Sequence, residues 1–365
     1  MQIIKGLKYR IYPNKEQQVL INKTLGCSRF VYNHFLNVRS SFYKENGKGI
    51  SYNKTSQLLT ELKKIINWLN EVDSMALQES LKNLNTAFQN FLKKKSGYPN
   101  FKSKHDNNQS YRTRNQKNGI RIVGNYINLP KLGYVKIRLS RPVNGNILNA
   151  TVRRTPTGKY FVSLCTEMQV ELIENNGGQI GIDVGIKNFY SDSNGNVIAN
   201  PKFLRKAEKK LIKEQRRLSR KQKGSNNRNK QRVKVAKAHE NITNKRNDFL
   251  HKQSTQLVRE NQTICIEDLK IKNMIKNHKL AKSIADVSWG RFFTMLEYKA
   301  VLFGTDIVRI PTFYPSSQTC CSCGYINKEL KQLTIRKWKC PCCGSDHDRD
   351  SNASINILAK GLEIA

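Results

Sequence analysis

Cys340-Pro-Cys-Cys-Gly-Ser-Asp-His-Asp-Arg-Asp-Ser-Asn-Ala353 joins half of a zinc-binding pattern to an acidic cluster, and Cys320-Cys-Ser-Cys-Gly324 supplies the other half. Sixteen residues separate the two Cys-x2-Cys pairs. Zinc is held by four thiolates arranged as a tetrahedron, and each x2 turn presents two of them. We therefore predict a zinc ribbon with one structural Zn²⁺, whose ligands are Cys320, Cys323, Cys340 and Cys343.

Two further thiols, Cys321 and Cys342, adjoin the predicted zinc ligands and could each replace a neighbour. Only the predicted set forms two x2 turns that are both followed by glycine, which lets the backbone fold around the metal. The alternative interpretation, free surface cysteines, is disfavoured by this spacing. Four thiolates leave no coordination position open for water, so the zinc is predicted to be structural and His347 is not predicted to be a ligand.

The charge of the chain is strongly one-sided. Its 365 residues include 65 Lys and Arg against 27 Asp and Glu, a formal net charge of +38. Self-repulsion of that size is relieved by a polyanion, and nucleic acid is the predicted one. A membrane surface is the rival polyanion, but no run of about 18 apolar residues is present. The first residues also lack the long apolar segment of a signal peptide. We expect a cytoplasmic, nucleoid-associated protein with no membrane partner.

The first half of the chain contains both strand-like and helix-like sequence patterns. Residues 2–12 have the alternation of a strand, and Asn14 with Gln17 resembles a helix capping pair. Residues 15–95 carry helical apolar spacing, in which Phe30, Tyr32 and Phe35 are predicted to be core residues and not base-stacking platforms. Residues from about 108 to 170 have the pattern of short β-strands. This order predicts a small barrel that begins with residues 2–12 and is interrupted by helices, and residues 171–178 are predicted to be a linker.

A second, α/β domain is predicted from residue 179. Ile180-Gly-Ile-Asp-Val-Gly and Ile264-Cys-Ile-Glu are predicted buried strands, and Asn194-Gly195 predicts a hairpin. Residues 202–246 contain 18 Lys and Arg against 3 Glu, and predict a basic helical hairpin. Its one-sided charge favours phosphate binding over a merely solvated surface. The predicted phosphate contacts are Arg205, Lys209, Arg216, Arg217 and Arg220.

Three acids carry the catalytic hypothesis. Asp183 and Glu267 each end a predicted strand, and Asp350 opens the final helix, predicted over residues 350–360. The order strand Asp, strand Glu, helix Asp is that of an RNase H-like fold, in which three carboxylates hold two Mg²⁺ for phosphodiester hydrolysis. Asp183 could instead serve a turn, and Asp350 could be only a helix N-cap.

Two neighbouring acids compete with the predicted catalytic set. Asp268 should point to the opposite face of its strand from Glu267. Asp348 lies two residues ahead of the expected helix start, so Asp350 is preferred over it.

The chain resembles the TnpB family of transposon-encoded RNA-guided DNA endonucleases, relatives of type V CRISPR effectors. The resemblance spans nearly the whole chain and rests on these segments: Leu7-Lys-Tyr-Arg-Ile-Tyr-Pro, Gly26-Cys-Ser-Arg-Phe-Val-Tyr-Asn, Gly97-Tyr-Pro-Asn-Phe-Lys, Gly181-Ile-Asp-Val-Gly, Ile266-Glu-Asp-Leu, Ser316-Ser-Gln-Thr-Cys and His347-Asp-Arg-Asp with Asn352-Ala353. One departure is Ser354, where a second alanine is commoner in the family.

The resemblance implies a multidomain α/β architecture. A wedge β-barrel (residues 1–12 and 100–172) would carry an inserted helical recognition domain (13–99). A RuvC nuclease domain (179–315 and 347–365) would carry the zinc ribbon (316–346) as an insertion. The implied catalytic triad is Asp183, Glu267 and Asp350.

The resemblance also implies function and partners. The chain would act with two Mg²⁺ as a monomer in a ribonucleoprotein, with a guide RNA from the transposon end. It would cut double-stranded target DNA beside a short flanking motif, and Gln78 would contact that motif. The alternatives are an RNA-guided repressor that does not cut, a miniature CRISPR effector, and a transposase, for which no feature supplies end recognition.

Overall fold

The computed structural model describes residues 1–107, 109–169, 171–172, 175–332 and 334–365. The chain forms two compact units, Met1–Val170 and Glu171–Ala365. Residues 108 and 170 of the expected β region, 173–174 of the expected linker and 333 of the expected ribbon lie outside the described residues.

The first unit is built on a seven-stranded antiparallel sheet whose order is β2-β6-β7-β1-β5-β4-β3. The first strand lies near the middle of this sheet, so residues 2–12 and the later β region belong together as expected. The sheet is a half-barrel with β2 and β3 at its edges, and not the barrel that the sequence predicts. Its strands are β1 (Gln2–Tyr12), β2 (Gln109–Arg114), β3 (Arg121–Val123), β4 (Tyr126–Leu129), β5 (Gly133–Arg138), β6 (Asn146–Arg154) and β7 (Tyr160–Gln169).

Three helices separate β1 from β2: α1 (Lys15–Asn46), α2 (Tyr52–Ile65) and α3 (Ser74–Leu92). The predicted capping pair is confirmed, since Asn14 Oδ1 accepts from the Gln17 N–H at 2.8 Å and the Gln17 side chain accepts in return at 3.0 Å. Tyr32 and Phe35 are buried in the core that the three helices share, and Phe30 packs against it. Their prediction as core residues is confirmed.

The second unit is built on a five-stranded sheet whose order is β10-β9-β8-β11-β12. Strands β8, β11 and β12 run parallel. Strand β9 pairs antiparallel with β8, and β10 pairs antiparallel with β9, to which the predicted Asn194-Gly195 turn joins it. The strands are β8 (Gly178–Val184), β9 (Asn188–Asp192), β10 (Val197–Ala199), β11 (Asn261–Glu267) and β12 (Asp306–Ile310).

A long helical hairpin, α4 (Phe203–Ser219) and α5 (Asn226–Glu260), connects β10 to β11. The prediction that it ends at residue 246 is wrong by fourteen residues. The run of positive charge stops near residue 246, but buried Leu250 and Leu257 continue the apolar side of α5 to the sheet. Charge therefore marked the solvated part of the helix, and apolar spacing marks its full length.

The remaining helices of this unit are α6 (Ile271–Met274), α7 (His278–Val287), α8 (Trp289–Phe303) and α9 (Arg349–Ile364). Ile264 and Ile266 of β11 belong to the core with α5 and α8, whereas Cys265 between them packs against Ile357 of α9. Because side chains alternate along a strand, α9 covers the opposite face of the sheet. Among the described residues, no helix is both long and apolar enough to cross a bilayer.

Candidate active site and metal centre

The parallel pairing of β8 with β11 brings two of the predicted acids to one edge of the sheet. Ile182 lies opposite Ile266 in the register, and the next residue of each strand is Asp183 and Glu267. Ile182 and Ile266 face the α5–α8 core, so the acids that follow them face α9. Both carboxylates are half-buried at the carboxyl ends of their strands.

Helix α9 lies unusually close to the sheet because two glycines permit it. A Cβ on Gly181 would lie 2.1 Å from the Ser354 carbonyl oxygen, and one on Gly361 would lie 2.2 Å from Cys265 Sγ. Ser354 is fully buried at this contact, and its hydroxyl donates to the Ser351 carbonyl at 2.8 Å. The close approach carries Asp350, in the first turn of α9, toward the carboxyl ends of β8 and β11.

Asp183 lies under the electrostatic influence of both other acids. Burial raises the pKa of Asp183 well above its usual value, and the negative charges of Glu267 and Asp350 raise it further. The positive charges of Arg349 and Arg336 act in the opposite direction. A buried carboxylate beside two further acids could be neutralised by a divalent cation, and carboxylate oxygens are the hard ligands that Mg²⁺ prefers.

Glu267 is oriented by a hydroxyl group from the chain that follows β12. Ser316 Oγ donates to Glu267 Oε1 at 2.7 Å, and Ser316 is buried. Burial raises the pKa of Glu267, and this hydrogen bond partly offsets the rise. Ser316 belongs to one of the segments that resemble the TnpB family, but no spacing or pattern in the sequence indicates its role.

Asp348, and not Asp350, takes the N-cap role that the sequence offered as the alternative for Asp350. Helix α9 begins at Arg349, and Asp348 is its N-cap: Asp348 Oδ1 accepts from the backbone N–H groups of Asp350 and Ser351 at 3.1 and 3.2 Å. The expectation that Asp348 lies two residues ahead of the helix is therefore wrong. Asp350 is not the cap, so its carboxylate is available to the site and accepts from Arg336 Nη1 at 3.0 Å.

Asp268 turns away from the cluster. It forms ion pairs with Lys270 and with Arg309 Nη1, the latter at 3.7 Å, and its side chain is 36% exposed. These partners lower the pKa of Asp268, with the Lys270 hydrogen bond as the largest cause.

Two asparagines of α9 fasten that helix to the segment that leads into the ribbon. Asn352 accepts from the Cys321 N–H at 2.9 Å and donates to the Thr319 carbonyl at 2.7 Å. Asn356 donates to the carbonyls of Ser316 at 2.8 Å and Thr319 at 2.6 Å. The same short segment therefore touches Glu267, α9 and the first cysteine pair, which no spacing rule in the sequence could have indicated.

The four predicted cysteines form one cluster. Their Sγ atoms all lie within 4.8 Å of one another, and the Cys320–Cys343 and Cys323–Cys340 pairs are both 3.6 Å apart. Four sulfurs at about 2.3 Å from zinc would be separated by about 3.8 Å, so the set fits a tetrahedral metal site. The predicted turns are present too, with Gly324 and Gly344 at positive φ of 76° and 73°.

The neighbouring thiols and histidine lie outside the cysteine cluster. Cys342 is exposed, and the Cys321 thiol lies 3.7 Å from His347 Nδ1. His347 Nε2 lies 3.1 Å from Cys320 Sγ, and its ring packs on Trp338, whose indole fills the small ribbon core. The ribbon strands are β13 (Lys337–Lys339) and β14 (Asp346–Asp348).

The predicted nucleic-acid contacts are all exposed, in two different units. In the first unit, Gln78 lies on α3 in a polar cleft with Ser56, Lys63 and Asn67. In the second, Arg217 pairs with Glu214 at 3.2 Å, and its companions extend into solvent along α4 and its C-cap: Arg205, Lys209, Arg216 and Arg220.

Three family models match parts of the chain. One described as "Probable transposase" matches residues 163–278, and one described as "Cas12f1-like, TNB domain" matches residues 289–357. A third, described as "Helix-turn-helix domain", matches residues 1–48, which here form β1 and the single long helix α1.

Curated relatives match the chain over all or part of its length. A Streptomyces pristinaespiralis protein named "Putative RNA-guided DNA endonuclease" is 42% identical over 366 residues, covering 99% of this chain and 90% of its own. InsQ of Escherichia coli (strain K12), named in the same way, is 34% identical, covering 100% of this chain and 94% of its own. TnpB-like protein L79 of Acanthamoeba polyphaga mimivirus is 28% identical, covering 63% of this chain and 46% of its own. This chain belongs to the TnpB family.

The TnpB-family chain also shares its fold with a solved structure. Cas12f1 in its complex with sgRNA and target DNA matches with a TM-score of 0.61, covering 98% of this chain and 99% of that one. The sequences are 14% identical, so this likeness concerns the fold.

One prediction tests the glycine contact beneath the TnpB-family site. Gly181→Ala places a methyl group against the backbone of α9, and we expect the free energy of unfolding to fall by about 1–3 kcal/mol. Gly290→Ala is the matched control, because a Cβ there meets only the end of the Ile271 side chain at 3.6 Å. Urea denaturation of both variants measures the difference. Equal midpoints would contradict the role given to Gly181.

A second prediction tests the Ser316 hydroxyl. The raised pKa values of Asp183 and Glu267 would make protons compete with a divalent cation at these acids, so the Mg²⁺ concentration for half-maximal binding should fall as pH rises. Ser316→Ala removes a hydrogen bond that lowers the pKa of Glu267, so its Mg²⁺ requirement should rise by about tenfold, most strongly at low pH. Metal titrations at several pH values measure this. A loss that is equal at every pH would indicate a merely structural role.

Proposed function

We propose that this TnpB-family protein is an RNA-guided DNA endonuclease that hydrolyses target DNA in a single RuvC-type site. The observation that carries the proposal is the convergence of Asp183, Glu267 and Asp350 at one edge of the sheet, from two parallel strands and a helix. The names of its full-length relatives support the guided activity.

The three carboxylates would hold two Mg²⁺, which when bound supply an activated water and stabilise the leaving oxygen. Ser316 holds Glu267 in one orientation. The Arg336 and Arg349 charges reduce the repulsion among the acids before metal binds. No side-chain nucleophile is required, because water is the attacking group.

The cysteine cluster would hold one Zn²⁺ with a structural role. All four tetrahedral positions are taken by thiolates, so none remains for a substrate or water. The ribbon, residues 316–346, is an insertion between β12 and α9, and it supplies Arg336 to Asp350. We assign it to target nucleic acid, the half-barrel to the wedge role, α1–α3 to recognition, and residues 179–315 and 347–365 to the nuclease domain.

The partners follow from the charge and the site. A net charge of +38 suits a guide RNA and a double-stranded target, and Gln78 in its polar cleft is the candidate contact to a flanking motif. The alternative of a guided repressor is disfavoured because repression needs no intact carboxylate set.

The test is cleavage of a plasmid that carries a matched target. The RNA that co-purifies with the protein is sequenced to identify the guide, and the purified ribonucleoprotein is incubated with target plasmid and Mg²⁺. Linear product that depends on both Mg²⁺ and the match supports the proposal. Binding of the matched plasmid without any cut would favour the repressor.

A third prediction assigns the basic hairpin to RNA. The variant changes five residues to Gln: Arg205, Lys209, Arg216, Arg217 and Arg220. A plot of the logarithm of the RNA association constant against the logarithm of salt concentration should become less steep, by about 0.7 for each phosphate that the protein no longer neutralises. The control exchanges Arg and Lys at the same five positions, which preserves charge and should preserve the slope. Filter binding across a salt series measures both sets, and an unchanged slope in the Gln set refutes the assignment.

A further inference from the structure

Phe313 is the most exposed large apolar side chain in the parts of the chain that the structure describes, at 94% exposure. It lies in the loop Pro311-Thr-Phe-Tyr-Pro315, between β12 and the ribbon. An aromatic ring held fully in water loses the free energy that burial would give it.

The loop that carries Phe313 is fastened along its length. Its first residues form a turn in which the Tyr314 N–H donates to the Pro311 carbonyl at 3.1 Å. Thr312 Oγ1 donates to the Asp268 carbonyl at 3.0 Å. Proline at both ends further restricts the backbone. The ring is thus displayed from a fixed platform.

The same loop adjoins the carboxylate site. At the start of the loop, the Ile310 carbonyl accepts from the Asp268 N–H. The loop is followed by Ser316, whose hydroxyl donates to Glu267. Ser316 is the third residue after Phe313, so their Cα atoms are at most about 11 Å apart. Successive stacked bases of a strand are about 3.4 Å apart, so Phe313 can reach a base within about three nucleotides of a phosphate at the carboxylates.

We propose that Phe313 stacks on an unpaired base of the DNA strand that enters the carboxylate site, and so fixes which phosphate is presented for cutting. This inference rests on the proposed nuclease function. A flat, single ring suits one base, whereas a protein partner would need a patch of about 800 Å². The strong positive charge of the chain favours the polyanion as the occupant, and stacking tolerates any base sequence.

The experiment combines Phe313 variants with abasic targets in the guide-loaded ribonucleoprotein. Targets carry one abasic site, placed in turn at each nucleotide around the cut. Wild type should lose about tenfold in cleavage rate when the abasic site lies at one position within about three nucleotides of the cut. Phe313→Ala should lose about tenfold on the intact target, with no further loss at that position. Target binding should stay unchanged.

Two further variants separate stacking from bulk and from folding. Phe313→Trp should keep the wild-type rate, and Phe313→Leu, which is apolar but cannot stack, should behave like Phe313→Ala. Because the ring is almost fully exposed, no variant should change the denaturation midpoint. The stacking proposal would be overturned if Phe313→Ala cleaved at the wild-type rate, or if it lost a further tenfold on the abasic target. Either result would leave the nuclease proposal standing. Failure of the wild type to cut any target would overturn the nuclease proposal too.

Discussion

Asp350→Asn is expected to reduce target cleavage by about 10³-fold or more while leaving DNA binding unchanged. The loss follows because metal binding is worth several kcal/mol of transition-state stabilisation and Asp350 is one of the three acids that converge at the site. Binding should survive because a carboxylate contributes nothing to phosphate contacts. Plasmid cleavage and filter binding with the same ribonucleoprotein preparation measure the two effects separately.

Asp348→Asn is the matched control for that variant. Asp348 caps α9, and Asn caps helices about as well as Asp, so stability and cleavage should both stay near wild type. The two changes are chemically identical and two residues apart, so only their place in the structure distinguishes them. Continued nicking by Asp350→Asn, or an equal loss in Asp348→Asn, would count against the assigned triad.

Cys340→Ser is expected to remove bound zinc, unfold the ribbon and abolish cleavage. The ribbon core consists of little more than Leu330 and Trp338 with partly buried Ile335, so metal binding must supply most of its folding free energy. Cleavage should be lost as well, because the ribbon delivers Arg336 to Asp350. Metal analysis of the purified protein should fall from one zinc per chain to none.

Cys342→Ser provides the control for the zinc prediction. Cys342 is exposed and lies outside the cluster, although it is only one residue from Cys343. It should keep its zinc and its activity. Zinc retained by Cys340→Ser, or lost by Cys342→Ser, would show that the ligand set differs from the one assigned here.

The cysteine cluster shows what local sequence can predict. Each x2 pair and its glycine form one tight turn, so residues that are near in sequence are necessarily near in space. The helices within residues 15–95 were predictable for the same reason, since the 3.6-residue period is local. The end of the basic hairpin was not predicted, because the charge pattern and the apolar pattern stop at different residues.

The acids of the second unit show where local sequence falls short. Asp348 and Asp350 are both good cap residues, and only the pairing of β14 with β13 places the helix start at Arg349 and makes Asp348 the cap. Ser316 was visible in the sequence only as part of a matching segment. Its role depends on a partner 49 residues earlier in the chain.

The sequence by itself determined the family, the four zinc-site cysteines, the strongly basic surface and the order of the three acids. Those properties depend on residue identity, local spacing and net charge. Tertiary structure brought the acids toward one another, through the β8–β11 register and the Gly181 contact with α9, and it left Phe313 exposed in the loop that leads to Ser316. Such contacts join residues far apart in the chain, and no local period or charge count encodes which of them meet.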